Sequence, residues 1–497
     1  MYFICIVHRD SSFNPDTDTI LEHMDKAATI DPVLKALKTK MQRDNAPEAA
    51  IEVFNDYYCQ LKSGKSATIP ESSITPVQRR EIIDRNTLDS FSDQGKEALK
   101  QTVILKLNGG LGTTLGLAGP KSLIDVKNNL SFLDIAFSQV DRLNKSHDSA
   151  IPILLMSSFF TEQATLQKLD YLATSGSPNI HHFSQHRFPR ILVSTREAVS
   201  WPSDPLLEWS PAGHGDLLLS LATSGELRRL IDKGYRYLFV SNIDNLGATV
   251  DLSILGYFVA ESLDFLMEVT DRTPMDRKGG HLARSRENNR IILRELSQCS
   301  RDDQRSFSDI NRHPFFNTNN IWLDLAAIDR AVAENRHRAL SLIVNKKRVD
   351  PLDDSTPEVF QLESALGSAL SMFEKSTAVC VPRSRFAPVK NAEELLLLWS
   401  DYYELTEEFA IIVNPLRKIT DRVRISLDDR YYANVDQLRE RFPFGPPSLI
   451  ECESLSICGD VRFGSGVRVK GQADITSQSL KQVIIPDGTE ISGNMAF

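Results

Sequence analysis

The chain has 497 residues, 41% hydrophobic and 25% charged, with a net charge of −9 at neutral pH. That length exceeds one ordinary core, so two or three globular domains are expected. The acidic balance argues against a partner bound by charge alone, such as nucleic acid, and no apolar run approaches the roughly 18 residues of a membrane span.

The cysteines (Cys5, Cys59, Cys299, Cys380, Cys452 and Cys458) are scattered without a CxxC pair, and the histidines form no HExxH. This fits a reducing compartment rather than a disulfide framework or a zinc site, and a cytoplasmic location is expected. The apolar start, Tyr2 to Val7, is too short for a signal-peptide core.

Residues 1–95 are polar, with helical spacing from about Pro32 to Leu61. Val33, Leu37 and Met41, then Ile51, Phe54, Tyr58 and Leu61, fall on one face. SGKSATIPESSITP, 63–76, reads as a Ser/Pro linker. Over 96–405 the texture changes. TVILKL (102–107), AIPILLMSS (150–158), YRYLFVSNIDN (235–245) and LDFLMEVTD (263–271) read as strands. FLDIAFSQVDRLN (132–144) and TEQATLQKLDYL (161–172) read as helices between them. The alternation predicts an α/β fold with a mainly parallel sheet covered on both faces, whose ligands lie beyond the carboxyl ends of the strands.

Residues 406–497 differ again. Leu449, Leu455, Val461, Val467 and Ala473 recur every six positions, as do Ile457, Phe463, Val469 and Ile475. Two apolar phases with glycine punctuation predict a β-solenoid, with an antiparallel meander as the alternative.

Five glycines (Gly109, Gly110, Gly112, Gly116 and Gly119) follow the first strand, and Lys121 follows them. The dinucleotide fingerprint fails because Leu115 stands where its third glycine belongs. The Walker loop fails because Pro120 separates Gly119 from Lys121, and proline has no N–H to offer a phosphate. What remains is LNGGLGT followed by GPKS. It brings glycine amides and one lysine toward a nucleoside triphosphate, unless it is a purely structural turn.

This loop resembles that of the eukaryotic UTP–glucose-1-phosphate uridylyltransferases (UDP-glucose pyrophosphorylases). The resemblance continues in order through HFSQHRFPR (182–190), PAGHGD (211–216), FVSNIDNLGATVD (239–251), MEVTDRT (267–273), KGG (278–280), FNTNNIW (316–322), QLESALGSAL (361–370) and VPRSRFAPVK (381–390). It covers roughly residues 30 to 497. Leu115 stands where the family often has methionine, and the His281-Leu-Ala-Arg284 segment is less apolar than the family pattern.

The resemblance implies a Rossmann-like nucleotidyltransferase domain (96–405), an N-terminal helical segment (1–95) and a C-terminal left-handed β-helix (406–497) through which copies assemble. It implies transfer of a uridylyl group from UTP to glucose 1-phosphate with release of pyrophosphate. Such a reaction needs cations, a metal ligand and amides rather than a protein nucleophile. Uridine is implied to lie over Leu107, Asn108, Gly109 and Gly110, with Gln185 reading the uracil edge and Gly213 and Asn242 beside the nucleotide. Lys121 is implied on the triphosphate, and Lys390 on the α-phosphate and sugar phosphate. Asp244, at a strand end, is the expected Mg²⁺ ligand. His214, Glu268, Gly280, Asn317, Asn319 and Asn320 are the sugar-pocket candidates. Two rivals stand beside this reading. One is a uridylyltransferase for N-acetylhexosamine 1-phosphate or for several sugar phosphates. The other is a catalytically silent scaffold that assembles through its solenoid. Asn108 and the NTNN run favour glucose, and the joint presence of Lys121, Asp244 and Lys390 speaks against a silent scaffold.

Overall fold

The computed structural model describes residues 31–64, 68–112, 115–117, 119–173, 179–351, 353–479 and 481–497. The Tyr2–Val7 run, Cys5 and Thr113 lie outside them. At its centre is an eleven-stranded sheet. Along its main path the strands run Ile83–Asp84, Ser376–Cys380, Phe265–Asp271, Phe315–Asp324, Tyr237–Asn242, Thr102–Asn108, Ile153–Ser157 and Ile180–Ser184. All are parallel to their neighbours except Phe315–Asp324, which runs antiparallel to both of its own. The strands Thr102–Asn108 and Tyr237–Asn242 are almost continuously buried, as expected when both faces are covered.

Side-chain alternation divides the core. Ile104, Leu155 and Phe239 join one face, packed under the helix Phe132–His147. Val103, Leu105, Leu154 and Val240 join the other, under the helices Leu217–Thr223 and Leu325–Ala333. The helix Phe132–His147 starts where Ser131 and Asp134 form a reciprocal cap, and it buries Phe132, Leu133, Phe137 and Val140.

Two expectations for the N-terminal segment need correction. The helical pattern from Pro32 to Leu61 is two helices, Pro32–Arg43 and Glu48–Ser63. The break falls at Asp44–Pro47, where Asn45 takes φ 59° and proline cannot continue the ladder. The stretch 63–76 is more than a linker: Ile74–Pro76 pairs antiparallel with Ala283–Ser285, and Ile74 is buried. Ahead of it, the Glu71 carboxylate takes Arg294 at 2.5 Å, Arg312 at 2.6 Å and His313 at 3.1 Å.

The asparagine-rich FNTNN is not a turn. It lies within the ten-residue strand Phe315–Asp324, at a register shift where Glu268 faces Asn320 but Val269 faces Asn317. Asn319, inside that bulge, has φ 59°, a backbone region asparagine tolerates better than most residues.

In the last hundred residues Arg424–Leu427, Cys452–Cys458, Arg468–Thr476 and Glu490–Ala496 form a parallel sheet, and Val461–Phe463 pairs in parallel with Val483–Ile485. Leu455 stacks on Ala473 and Ile457 on Ile475, so like residues of the two apolar phases sit one above the other. All nine residues of those phases are buried, and parallel stacking rules out the antiparallel meander. Their core is continuous with that of the central sheet through Tyr432, Val435, Leu438 and Phe442, and the Tyr432 hydroxyl donates to the Val461 carbonyl at 2.7 Å. Among the described residues no helix is long and apolar enough to cross a membrane.

Candidate active site

The parallel strands end in polar residues on one side of the sheet. Asn108, Ser157, Ser184 and Asn242 close four adjacent strands, and the antiparallel Phe315–Asp324 begins at the same edge with Asn317, Asn319 and Asn320. The loops beyond this edge carry Gly109, Gly110, Lys121, Gln185, Gly213, Asp244 and Lys390.

The glycine loop doubles back on itself. Leu111 bridges to Pro120, and the Lys121 amide donates to the Gly110 carbonyl at 3.3 Å. The chain then delivers Lys121 to Asp244, two residues past the strand Tyr237–Asn242. Lys121 Nζ lies 2.6 Å from Asp244 Oδ2, with both side chains mostly shielded from water. A cation and a carboxylate, paired at the carboxyl ends of parallel strands, can exchange each other for phosphate oxygens and a metal ion.

Gly109, Gln185 and Gly213 form one contact set. A side chain at Gly109 would collide with the Gln185 amide nitrogen. The Gly213 amide donates to Gln185 Oε1 at 3.0 Å. The Gln185 carbonyl oxygen is thus engaged, and its NH₂ is turned toward the glycine loop. Below it, Asp216 accepts the His186 backbone N–H at 2.7 Å and lies 2.9 Å from the ring Nδ1. Gly213 has φ 86°, and a Cβ there would run into the Ser364 backbone. Its lack of a side chain therefore answers to packing, beyond the ligand access expected of it. His214 Nδ1 accepts the Leu366 amide at 3.2 Å, which leaves the ring proton on Nε2. Burial pushes the His214 pKa down to about 4, so the ring is a neutral donor near pH 7.

Three other expected residues sit differently. Glu268 is fully buried, and both carboxylate oxygens are taken: Oε1 by Trp322 Nε1 at 3.0 Å and Arg385 at 2.7 Å, Oε2 by Asn320 at 3.1 Å and Arg385 at 2.8 Å. It is the centre of a saturated network beneath the site and has no acceptor left for a sugar hydroxyl. Asn320 belongs to that network, donating to Glu268 and accepting from Asn245 at 3.2 Å. The Asn108 side chain is 1% exposed and donates to Thr165 at 2.9 Å and Ser157 at 3.3 Å, so it anchors the loop from inside.

Asn317 and Asn319 stay at the edge. Asn317 Oδ1 accepts the Asn319 amide at 2.8 Å, and Asn319 Nδ2 donates to Asn242 at 2.9 Å. Asn319 Oδ1 is a buried acceptor with no protein donor. Beside Asn317 lies a carboxylate that sequence reasoning missed. Glu295 packs on Gly280, where any side chain would strike it, and shares a hydrogen bond with Asn317. Burial raises its pKa, against the opposing pull of Asn317 and the Lys390 charge. The available signal was KGG, whose Gly280 carbonyl also receives the Asn317 amide at 3.1 Å. Lys390 completes this side, its Nζ 5.8 Å and 5.7 Å from the Phe316 and Phe386 ring centres. Asn245 ties the two halves together: it accepts the Ala387 amide at 3.0 Å and bridges to Pro388.

Asp244 is the group here that a metal ion could use. Among the described residues no group of three or more His, Cys, Asp or Glu side chains could cage one. One hard carboxylate, paired with Lys121 and two residues past Asn242, suits Mg²⁺, which takes one or two carboxylates and completes its shell with phosphate oxygens and water.

Comparison with known proteins yields one consistent group. A family model described as UTP–glucose-1-phosphate uridylyltransferase matches residues 51–470. The UTP–glucose-1-phosphate uridylyltransferase of Solanum tuberosum is 38% identical over 434 residues, 86% of this chain and 89% of that protein. That of Encephalitozoon cuniculi is 35% identical over 486 residues, 97% of this chain and 95% of that protein. Among solved structures, the UDP-glucose pyrophosphorylase of Leishmania major superposes with a TM-score of 0.86 at 37% identity, covering 94% of this chain and all of that one.

Proposed function

From the premise that this chain belongs to the UTP–glucose-1-phosphate uridylyltransferase family, we propose how its own residues carry the reaction. The protein transfers the uridylyl group of UTP to glucose 1-phosphate, giving UDP-glucose and pyrophosphate. It acts as an enzyme rather than as a silent scaffold. The observation that carries the residue assignment is the Lys121–Asp244 pair, set at the carboxyl ends of parallel strands between the uracil-side and sugar-side clusters.

Uridine lies along Leu107–Gly110, against the Gln185 NH₂, which donates to a uracil carbonyl. Gly213 holds that amide in register. Lys121 leaves Asp244 for the triphosphate and stabilises the departing pyrophosphate. Asp244, with Asn242 two residues before it, would hold Mg²⁺, and the ion would supply positive charge to offset that of the phosphates. The phosphate of glucose 1-phosphate attacks from the side of Lys390, whose charge meets the oxygens where negative charge builds. Sugar hydroxyls face Asn317, Asn319, Glu295 and the neutral His214 Nε2–H, with Gly280 close enough to offer backbone. Glu268, Asn320, Trp322 and Arg385 form the floor that fixes this pocket.

We read the stacked coils of 406–497 as a left-handed β-solenoid whose last strand, Glu490–Ala496, pairs with a second copy. We propose a cytoplasmic location, in keeping with the scattered cysteines and with substrates present in that compartment. The test is pyrophosphate release from each of four nucleoside triphosphates with each of four sugar 1-phosphates. UTP with glucose 1-phosphate should exceed every other pair. Equal rates with N-acetylglucosamine 1-phosphate would move the assignment to the broader-specificity rival.

A further inference from the structure

Lys106 opens the glycine motif, yet the reaction as described gives it nothing to do. It lies on the strand Thr102–Asn108, is 3% exposed, and its side chain passes beneath the site. Its Nζ donates to Ser241 Oγ at 2.8 Å and to the Ala248 carbonyl at 3.0 Å. Both acceptors are neutral, and a buried ammonium without a directly paired carboxylate is costly to maintain. Burial and the nearby Arg385 charge lower its pKa to about 7, while Asp244 and Glu268 pull the other way. A chain that needed only to fill this space would place an apolar residue there.

The two acceptors show what the lysine secures. Ser241 and Ala248 bracket the turn that carries Asn242, Asp244 and Asn245. The middle of that turn is held by Asn245, through Asn320, the Arg385 carbonyl and the Ala387 amide. Its far end is held by Arg385, which donates to the Thr249 carbonyl at 2.8 Å. Lys106 spans from the strand end before Asp244 to the chain after it.

We propose that Lys106 is a positioning residue for uridylyl transfer: its Nζ donates to both ends of the Ser241–Ala248 turn and so clamps the segment that carries Asp244. This rests on the reading of Asp244 as the residue that meets the metal and the triphosphate. The clamp acts through Asp244 and touches no substrate, so its loss lowers turnover more than substrate affinity.

The stem of Lys106 also lines a cavity of about 240 Å³ with Ile104, Gln139, Leu143, Phe239 and Val250, and that cavity opens to solvent. This permits a direct test with two variants. Lys106→Met keeps the volume and removes the charge. Its kcat should fall at least about tenfold, with both KM values within about threefold, since a small misplacement of a group that meets the reacting atoms costs that much or more. Its thermal midpoint should hold, because Met fills the same space and the cost of burying the amine offsets the two lost hydrogen bonds. Lys106→Ala should lose as much turnover and regain part of it with millimolar ethylammonium or propylammonium, which enter through the cavity. Lys106→Met, with the space filled, should not respond. Unchanged kcat in Lys106→Met overturns the proposal, and so does loss of kcat in step with a fallen thermal midpoint without amine rescue, which marks a structural lysine. Asp244→Ala, assayed alongside, separates the two claims. If it keeps near-normal turnover, the site reading itself fails. If it is inactive while Lys106→Met is normal, only the Lys106 proposal fails.

Discussion

Each assigned residue is distinguished by what the protein already asks of it. Lys121 and Asp244 neutralise each other, so either can be released to a ligand. Glu268 cannot, since four donors fill its carboxylate. Removing a donor that meets charge in the transition state commonly costs about 10²–10³ in rate. Lys121→Ala and Lys390→Ala should each show that loss in kcat under steady-state assay. A change confined to KM for UTP would mark ground-state binding instead. Gln185 makes a sharper prediction. With its carbonyl held by Gly213, the NH₂ is the reading group. It suits the O4 acceptor of uracil and faces a like donor in the amino group of cytosine. Gln185→Glu should shift the ratio of kcat/KM values from UTP toward CTP, and an unchanged ratio would remove Gln185 from base recognition.

Elements show how much could be read beforehand and why the rest could not. TVILKL, YRYLFVSN and LDFLMEVTD declare buried parallel strands by continuous apolar runs, and the hexad rows declare coils by period alone. FNTNN hides its strand, because asparagines that read as turn formers are here paired with one another across a bulge. Glu295 and Glu71 were illegible for a different reason. Each acquires its role from a segment distant in the chain: Gly280 and Asn317 for Glu295, and Arg294, Arg312 and His313 for Glu71. The Glu71 cluster also makes a stability prediction. His281 and His313 stack at 3.8 Å among Arg272, Arg294, Arg312, Asp303 and Glu71, and burial holds both pKa values below the ordinary value. Neutral rings are therefore favoured in the folded state, and the unfolded chain binds more protons once pH drops below about 6.5. The stability these rings contribute is present above that pH and lost as pH falls below it, and for His281 the slope approaches about 1.4 kcal/mol per pH unit. His281→Gln should flatten the pH dependence of the urea midpoint between pH 6 and 5. The same slope in the variant would exclude the ring as its source.

At the scale of the molecule, the catalytic sheet and the C-terminal coils share one core, so the coils are better seen as a rigid extension than as a tethered module. Ile491, on the last strand, is 1% exposed within its own chain and has no apolar surface left for a second copy. What the last strand offers a partner is its hydrogen-bonding edge and Phe497, which is 47% exposed. Light scattering should find the full chain self-associated at micromolar concentration, and Phe497→Asp or truncation before Glu490 should shift it toward monomer with turnover retained. A monomeric full chain would leave the coils without an assembly role.

On the proposed function, one edge of the sheet brings UTP and glucose 1-phosphate together through Lys121, Asp244 and Lys390. Pyrophosphate release, followed with Mg²⁺, UTP and glucose 1-phosphate in the intact protein and in Asp244→Ala, tests it most directly. Release should require both substrates and Mg²⁺ and should be nearly abolished in Asp244→Ala while the fold persists. Release from UTP without glucose 1-phosphate, or near-normal turnover in Asp244→Ala, would contradict it.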